Sequence, residues 1–193
     1  MIRVGILGDI GSGKSFISKC FGYPVFNADE EVAELYKRNK KVFKKLNRLL
    51  PKYIFTFPIK KSEIIKAVLN NKGNLKKITN VIHFEIRKKL NSFLKNNKKK
   101  KIVILDIPLL LENKINNKKD ILVFVQSKKS DIEKRLKKRA GFNIKVIKNF
   151  KKIQLSLDYK KKIAHFVIKN NFKNKSVKKD IKFILKKVLK WKK

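Results

Sequence analysis

The stretch from Gly8 to Ser15 reads Gly-Asp-Ile-Gly-Ser-Gly-Lys-Ser, and its residue types and spacing suit the binding of a polyphosphate. It fits the pattern G-x-x-x-x-G-K-[ST], in which glycines let a loop wrap closely and turn successive backbone N–H groups towards an anion. Lys14 is then placed on the β- and γ-phosphates as a point charge, and the Ser15 hydroxyl completes the coordination of Mg²⁺. The alternative is a glycine-rich turn without a ligand.

The residues on either side of this loop favour the phosphate-binding interpretation. An apolar, β-rich run at 2–7 predicts a strand, and apolar residues at 17, 20 and 21 recur at helical spacing after Lys14. The motif is meaningful only between a strand and a helix, because the helix then turns the positive end of its dipole towards the anion. The predicted nucleotide-binding segment consists of Gly8, Asp9, Ile10, Gly11, Ser12, Gly13, Lys14, Ser15 and Phe16.

Three acids stand after predicted strands and are candidates for chemistry. Asp29 ends the run 23–29, where its carboxylate either accepts the proton of an acceptor hydroxyl or caps a helix that begins at Glu30. Asp106 ends the third strand, within the apolar run 101–112, and either orients waters of the Mg²⁺ shell or is a solvated acid at a strand end. Glu112 holds either a loop or the metal shell, and its role is the least determined of the three.

The order of the predicted elements gives an α/β fold. Five strands, at 2–7, 23–29, 101–112, 120–126 and 165–171, alternate with helices, including stretches at 30–50 and 144–162. This alternation predicts a parallel, doubly wound sheet that binds ligands at the carboxyl ends of its strands. We expect a core of residues 1–50 and 98–193, an all-helical insertion at 51–97, and a C-terminal helix with Val177, Ile181, Ile184, Val188 and Trp191 on its buried face.

Composition limits the class of protein. Among 193 residues, 42% are hydrophobic and one is cysteine, so we expect a globular protein without an intrachain disulfide. The longest apolar runs are far shorter than the ~18 residues of a membrane span, and we expect a cytoplasmic protein. The net charge of +39 comes almost wholly from lysine spread along the chain, while arginine is scarce, so we expect no nucleic-acid partner.

Several further motifs carry a resemblance to the dephospho-CoA kinase family over nearly the whole chain. "GILGDIGSGKS" is similar to the family's G-x-T-G-G-I-G-S-G-K-S, "VFNAD" to V-I-D-A-D, "ITNVIHFEI" to L-x-x-I-x-H-P-x-I and "DIPLLLE" to P-L-L-F-E. Later, "IEKRLKKR" resembles Q-x-x-R-L-x-x-R, and "QLSLDYKKKIAHFVIKNN" resembles Q-x-x-x-x-x-K-x-x-x-A-D-x-V-I-x-N. The phosphate loop alone marks only a superfamily, whereas these motifs in this order are specific.

The resemblance implies a three-layer P-loop kinase fold with a helical insertion and a small helical lid at about 135–162. It implies transfer of the ATP γ-phosphate to the 3′-hydroxyl of dephospho-CoA with Mg²⁺, by a protein that we expect to be a monomer. Asp29 would be the base, Lys14 would bind the phosphates, Arg135 and Arg139 would be lid cations, and Asn170 would lie near adenine. The implied acceptor-binding residues are Asp29, Lys61, His83, Pro108, Leu109, Glu112 and Lys160, and the implied metal ligands are Ser15 and Asp106.

Some of these assignments have alternatives. Arg135 and Arg139 are four residues apart and share a helix face, which is also what a solvated basic face would show. His83 either contacts the acceptor or packs between subdomains. Two other functions stay open, namely a small P-loop kinase with a different acceptor and a basic P-loop protein that binds nucleic acid.

The chain departs from the family at a few positions. The departures are Asp9 for a loop glycine, Phe16 for Thr, Asn27 for the first Asp of the pair, Lys61 for Arg, Phe84 for Pro and His165 for Asp. None of them removes a group to which we assign chemistry, but Asp9 places a negative charge beside the bound phosphate.

Overall fold

The computed structural model of the chain describes residues 1–138 and 143–190. Its centre is a five-stranded parallel sheet with the strand order β2-β3-β1-β4-β5, which confirms the predicted parallel α/β fold. The strands are β1 (Ile2–Gly8), β2 (Val25–Asn27), β3 (Ile102–Asp106), β4 (Ile121–Gln126) and β5 (Phe166–Lys169).

Helices cover both faces of this sheet. They are α1 (Lys14–Cys20), α2 (Ala28–Arg38), α3 (Lys40–Leu49), α4 (Lys61–Asn70), α5 (Lys72–Asn96), α6 (Lys129–Lys137), α7 (Ile144–Lys152), α8 (Leu157–Lys162) and α9 (Asn174–Leu189). On one face α1 and α9 pack against the sheet, and the predicted apolar positions Val177, Ile181, Ile184 and Val188 of α9 are buried there. Trp191, predicted for the same face, lies outside the described residues.

The other face carries a larger apolar layer. Side chains from α2, α3, α4 and α5 form one buried cluster with the sheet, and this cluster includes Leu35, Leu46, Ile82 and Leu105. The four helices therefore share a single core with the sheet. The central strands β3 and β1 are buried on both faces, which explains why their sequences read as continuous apolar runs rather than as alternating ones.

Two predicted elements are shorter or more divided than the sequence indicated. The helix expected over 30–50 is two helices, because Asn39 has an extended backbone and its side chain accepts a hydrogen bond of 2.9 Å from the Val42 N–H. The strand expected over 101–112 ends at Asp106, after which the chain turns. Apolar character continues in this turn because Ile107 and Leu110 are buried against the sheet.

The basic stretch expected as one helix over 144–162 is also divided. It forms α7 and α8, and the Ser156 hydroxyl caps α8 by accepting a hydrogen bond of 3.2 Å from the Tyr159 N–H. Within residues 1–138 and 143–190, no helix is both long and apolar enough to cross a bilayer.

Gly5 in β1 leaves the space in which the turn after β3 packs. A Cβ atom at Gly5 would lie 2.5 Å from Leu110 Cδ2 and 3.2 Å from Leu122 Cδ2, and both leucines are buried. We expect Gly5→Ala to lower the free energy of unfolding by about 1–3 kcal/mol, as overpacking of a core does. Thermal or urea unfolding measures the change, and Gly73→Ala in the first turn of α5 is the matched control. A Gly5→Ala protein as stable as the wild type would contradict this packing.

Candidate active site

The predicted phosphate loop connects β1 to α1, at the carboxyl edge of the sheet. Gly11 and Gly13 have φ angles of 84° and 89°, in the left-handed region that favours glycine. A Cβ atom at Gly13 would also collide with the side-chain amide of Asn170. The loop thus has the conformation that brings backbone N–H groups to the start of a helix, where an anion binds.

Lys14 lies across this loop rather than pointing into solvent. Its Nζ atom donates hydrogen bonds to the carbonyl oxygens of Gly8, at 3.2 Å, and Asp9, at 2.8 Å. Burial lowers the pKa of Lys14, and the carboxylates of Asp106 and Asp29 act in the opposite direction. The half-buried ammonium group is therefore held on the loop, with two carboxylates near enough to support its charge.

Asp106 ends β3 directly beside the loop. Its side chain is buried, and its Oδ2 atom has no hydrogen-bond partner within the residues that the structure describes. Burial raises the pKa of Asp106, while a hydrogen bond from the Ser15 hydroxyl and the charge of Lys14 lower it. A buried carboxylate oxygen without a partner, next to a serine hydroxyl, fits a Mg²⁺ ion that keeps several waters and takes few protein ligands.

Asp29 reaches the same edge because β2 pairs with β3, with Asn27 opposite Asp106. The helix after β2 begins at Ala28, and its cap is Asn27, whose Oδ1 atom accepts hydrogen bonds from the N–H groups of Asp29 and Glu30 at 3.0 and 3.2 Å. The alternative that Asp29 caps the helix is therefore wrong. The Asp29 side chain is exposed, and its charge acts on both Lys14 and Asp106.

Glu112 and Lys160 form a buried ion pair. Lys160 Nζ lies 2.6 Å from Glu112 Oε1, and the two side chains are 2% and 9% exposed. The same Glu112 oxygen accepts a hydrogen bond of 3.0 Å from the Leu155 N–H, so the turn after β3 is joined to the segment before α8. The positive charge of Lys160 lowers the pKa of Lys14, which places this pair beside the loop. Pro108 and Leu109, in the same turn, are half-buried.

The residues after β5 hold the phosphate loop from its other side. The Asn170 side-chain amide donates a hydrogen bond of 2.8 Å to the Ser12 carbonyl oxygen, which also accepts one of 2.9 Å from the Ser127 hydroxyl. Phe172 lies next to Gly13, and the Arg135 guanidinium stacks 4.3 Å from the centre of its ring. Arg135 of α6 therefore belongs to the site region. Arg139 lies outside the described residues.

The other predicted contacts are placed as follows. Lys61 is the exposed first residue of α4, and Phe16 is a partly exposed residue of α1. The His83 ring lies 3.4 Å from the Asn113 side-chain amide in the turn after β3, and burial lowers its pKa. His165 precedes β5 at the amino edge of the sheet, and its Nδ1 atom accepts a hydrogen bond of 3.0 Å from the Leu122 N–H.

Three contributions to this site were not predicted from the sequence. They are the cap at Asn27, the ring of Phe172 under Arg135, and an ion pair of 3.2 Å between Lys151 and Asp9. An Asn just before an acidic first turn is a recognisable cap signal. Nothing local in the sequence indicates the other two, because each joins residues that are far apart in the chain.

The parallel sheet, the phosphate loop with its half-buried lysine, and the strand-end acid beside it define a P-loop kinase. The family model described as dephospho-CoA kinase matches residues 2–176. The chain belongs to the dephospho-CoA kinase family.

Individual relatives agree with this assignment. The chain is 30% identical over 187 residues to the dephospho-CoA kinase of Wolbachia pipientis wMel, covering 94% of this chain and 95% of that protein. The crystal structure of TT1252 from Thermus thermophilus has a TM-score of 0.78 at 26% identity and covers 96% of this chain and 97% of its own. The dephospho-CoA kinase from Campylobacter jejuni shares the fold, with a TM-score of 0.63 at 21% identity over 98% of both chains.

The raised pKa of Asp106 yields a prediction about stability. Because its folded pKa lies above its unfolded one, the charged carboxylate costs folding free energy at neutral pH. The protonated carboxyl stabilises the folded protein relative to the ionised one. This stabilisation is complete below the unfolded pKa and is lost as the pH rises through the folded pKa. Asp106→Asn mimics the protonated acid, so we expect the ligand-free variant to have a higher thermal midpoint than the wild type at pH 7, by about 2–4 °C for each kcal/mol.

The difference between the two midpoints should shrink as the pH falls through the folded pKa of Asp106, where the wild-type carboxyl also takes up its proton. Thermal unfolding in a series of buffers from pH 7 downwards measures it, with Asp180→Asn in α9 as the control. A midpoint of Asp106→Asn below that of the wild type at pH 7 would mean that the carboxylate stabilises the ligand-free fold.

Proposed function

We propose that the protein transfers the γ-phosphate of ATP to the 3′-hydroxyl of dephospho-CoA, giving coenzyme A and ADP, the last step of coenzyme A synthesis. The observation that carries this proposal is the meeting, at one sheet edge, of a phosphate loop and an exposed carboxylate that has no capping duty. Membership of the dephospho-CoA kinase family supports the identity of the acceptor.

The donor side of the reaction rests on the phosphate loop. The backbone N–H groups of residues 8–15 and the Lys14 ammonium would bind the ATP phosphates and offset the charge that spreads over the transferring group. Asn170 and Arg135 border this loop from the other side. Ser15 and Asp106 would hold Mg²⁺, which neutralises phosphate charge when it is bound.

The acceptor side rests on Asp29. Its carboxylate would orient the 3′-hydroxyl and accept the proton as the hydroxyl oxygen forms its bond to the γ-phosphorus. In the same step the bond from this phosphorus to the oxygen that bridges to the β-phosphate breaks, and ADP leaves with that oxygen. A loose transition state needs little help from a base, so positioning of the hydroxyl carries much of the effect.

The rest of the acceptor would lie along the turn after β3 and the insertion at 51–97. Pro108, Leu109 and Glu112 line that turn, and the contact between His83 and Asn113 joins it to α5. Lys61 would add positive charge for the phosphates of dephospho-CoA, whereas Lys160, paired with Glu112, would act on the acceptor by fixing the turn after β3. The same proposal includes the roles of the 51–97 insertion in acceptor binding and of residues at about 135–162 as a lid. It also includes a monomeric state, a cytoplasmic location and a function without nucleic acid or membrane.

Asp29→Asn and Asn27→Ala separate chemistry from capping. Asp29→Asn removes the proton acceptor and keeps the cap, so we expect kcat with dephospho-CoA to fall by about 10²–10⁴, towards the lower end, with an unchanged thermal midpoint. Asn27→Ala removes the cap, so we expect a loss of about 1 kcal/mol in stability with Asp29 still in place. Steady-state kinetics and thermal unfolding of both variants measure these effects.

ATP consumption by the wild type should be tested with dephospho-CoA, adenosine and shikimate as acceptors. Turnover with another acceptor alone would replace dephospho-CoA in this proposal. Full activity of Asp29→Asn would remove Asp29 from the transfer step. Lys14→Ala is the reference for a lost phosphate contact, for which a fall of roughly 10²–10³ in rate is expected.

A further inference from the structure

Asp9 and Lys151 form an ion pair between the phosphate loop and α7. Asp9 Oδ2 and Lys151 Nζ are 3.2 Å apart, and the side chains are 14% and 46% exposed. Asp9 stands where the sequence resemblance leads us to expect a glycine, so the pair is a feature of this chain rather than of the loop motif.

The Asp9 carboxylate already uses one of the loop's backbone N–H groups, and it adds a negative charge to the loop. Its Oδ1 atom accepts a hydrogen bond of 2.7 Å from the Ile10 N–H, and its carbonyl oxygen accepts one of 2.8 Å from Lys14 Nζ. A bound polyphosphate would bring several more negative charges to the same place. A loop with this acid therefore needs an additional cation close to it.

Lys151 reaches the phosphate loop from α7, an element that is distant from the loop in the sequence. It lies in the last turn of α7, a helix that packs against α4. Shortly after it, the Leu155 N–H is hydrogen-bonded to Glu112, so the segment behind Lys151 is fixed to the core. The ammonium stands on a long, flexible stem and is nearly half exposed, so it can change partner by rotation of its own side chain.

We propose that Lys151 is a phosphate-binding residue of the nucleotide site, held at the loop by Asp9 and passed to the nucleotide phosphates when they bind. In the free protein the pair keeps the ammonium beside the loop and offsets the Asp9 charge. In the complex Lys151 bridges the carboxylate and the phosphates, or leaves the carboxylate for them. The ligand class, a nucleoside polyphosphate, rests on the proposed function.

The test is a double-mutant cycle on nucleotide affinity, without acceptor. The variants are Lys151→Met, Asp9→Asn and the double variant, and Lys152→Met is the matched control because it removes an exposed lysine from the same turn of α7. Asparagine can still accept the Ile10 N–H, so Asp9→Asn removes the charge and spares the loop. Titration calorimetry with ATP and AMP, with Mg²⁺ present, gives each Kd.

We expect Lys151→Met to raise the Kd for ATP about three- to tenfold. This range lies between the loss of an exposed ion pair and the loss of a charge-assisted hydrogen bond. The Kd for AMP, which lacks the β- and γ-phosphates, should change less. Asp9→Asn should lower the Kd for ATP, and should lower it more in the Lys151→Met background, where the carboxylate lacks its counter-charge. Lys152→Met should change the Kd for ATP less than twofold.

Two results would overturn the proposal. Equal effects of Lys151→Met and Lys152→Met would mean that only the diffuse lysine field acts on ATP. The second result is an equal loss of ATP affinity in Asp9→Asn, in Lys151→Met and in the double variant. It would mean that the ion pair only stabilises the structure and that Lys151 does not contact phosphate. A wild type that does not bind ATP would instead contradict the proposed function, so the two failures are distinguishable.

Discussion

A half-buried ammonium group held between backbone carbonyls and carboxylates is the interaction on which the site depends. Lys14 gives two hydrogen bonds to the loop that it will serve, and burial lowers its pKa while Asp106 and Asp29 support its charge. An unpaired charge in such a place is costly, and the surrounding acids offset part of that cost. Asp106 is affected in the opposite way, because burial raises its pKa while the charge of Lys14 lowers it. An anion bound at the loop would supply a partner for the Lys14 ammonium, and a metal ion would supply one for the unpartnered oxygen of Asp106.

The strand order brings these groups together. With β3 between β2 and β1, the ends of three neighbouring strands place Asp29, Asp106 and the phosphate loop at one edge. The absence of a side chain at Gly5 then lets Leu110 lie on the sheet, which fixes the turn that carries Glu112. The residues of the candidate site are thus positioned by the packed core of the sheet and by the turn after β3.

The sequence predicted most of the fold because its signals are local or periodic. The loop motif, the apolar runs of β3 and β4 and the apolar stripe of α9 each occur within a short window, and the structure has each of them. Single side chains decided where prediction failed: Asn39 ends one helix and starts another, and the apolar run after Asp106 continues through a turn because that turn is buried. At the site, the acids and the loop were predictable from strand ends. The Asp9–Lys151 pair and the Arg135–Phe172 contact were not, because they depend on how distant segments pack.

The ion pair of Glu112 and Lys160 also limits how the segment above the site can move. Separating these two buried groups would leave both charges without partners, at a cost of about 3–5 kcal/mol. Lys151, nearly half exposed on the preceding helix, is restrained far less. The segment that joins α7 to α8 is therefore fixed to the turn after β3. Any displacement of α7 would therefore pivot about this segment, because its contacts with Glu112 keep it on the turn after β3.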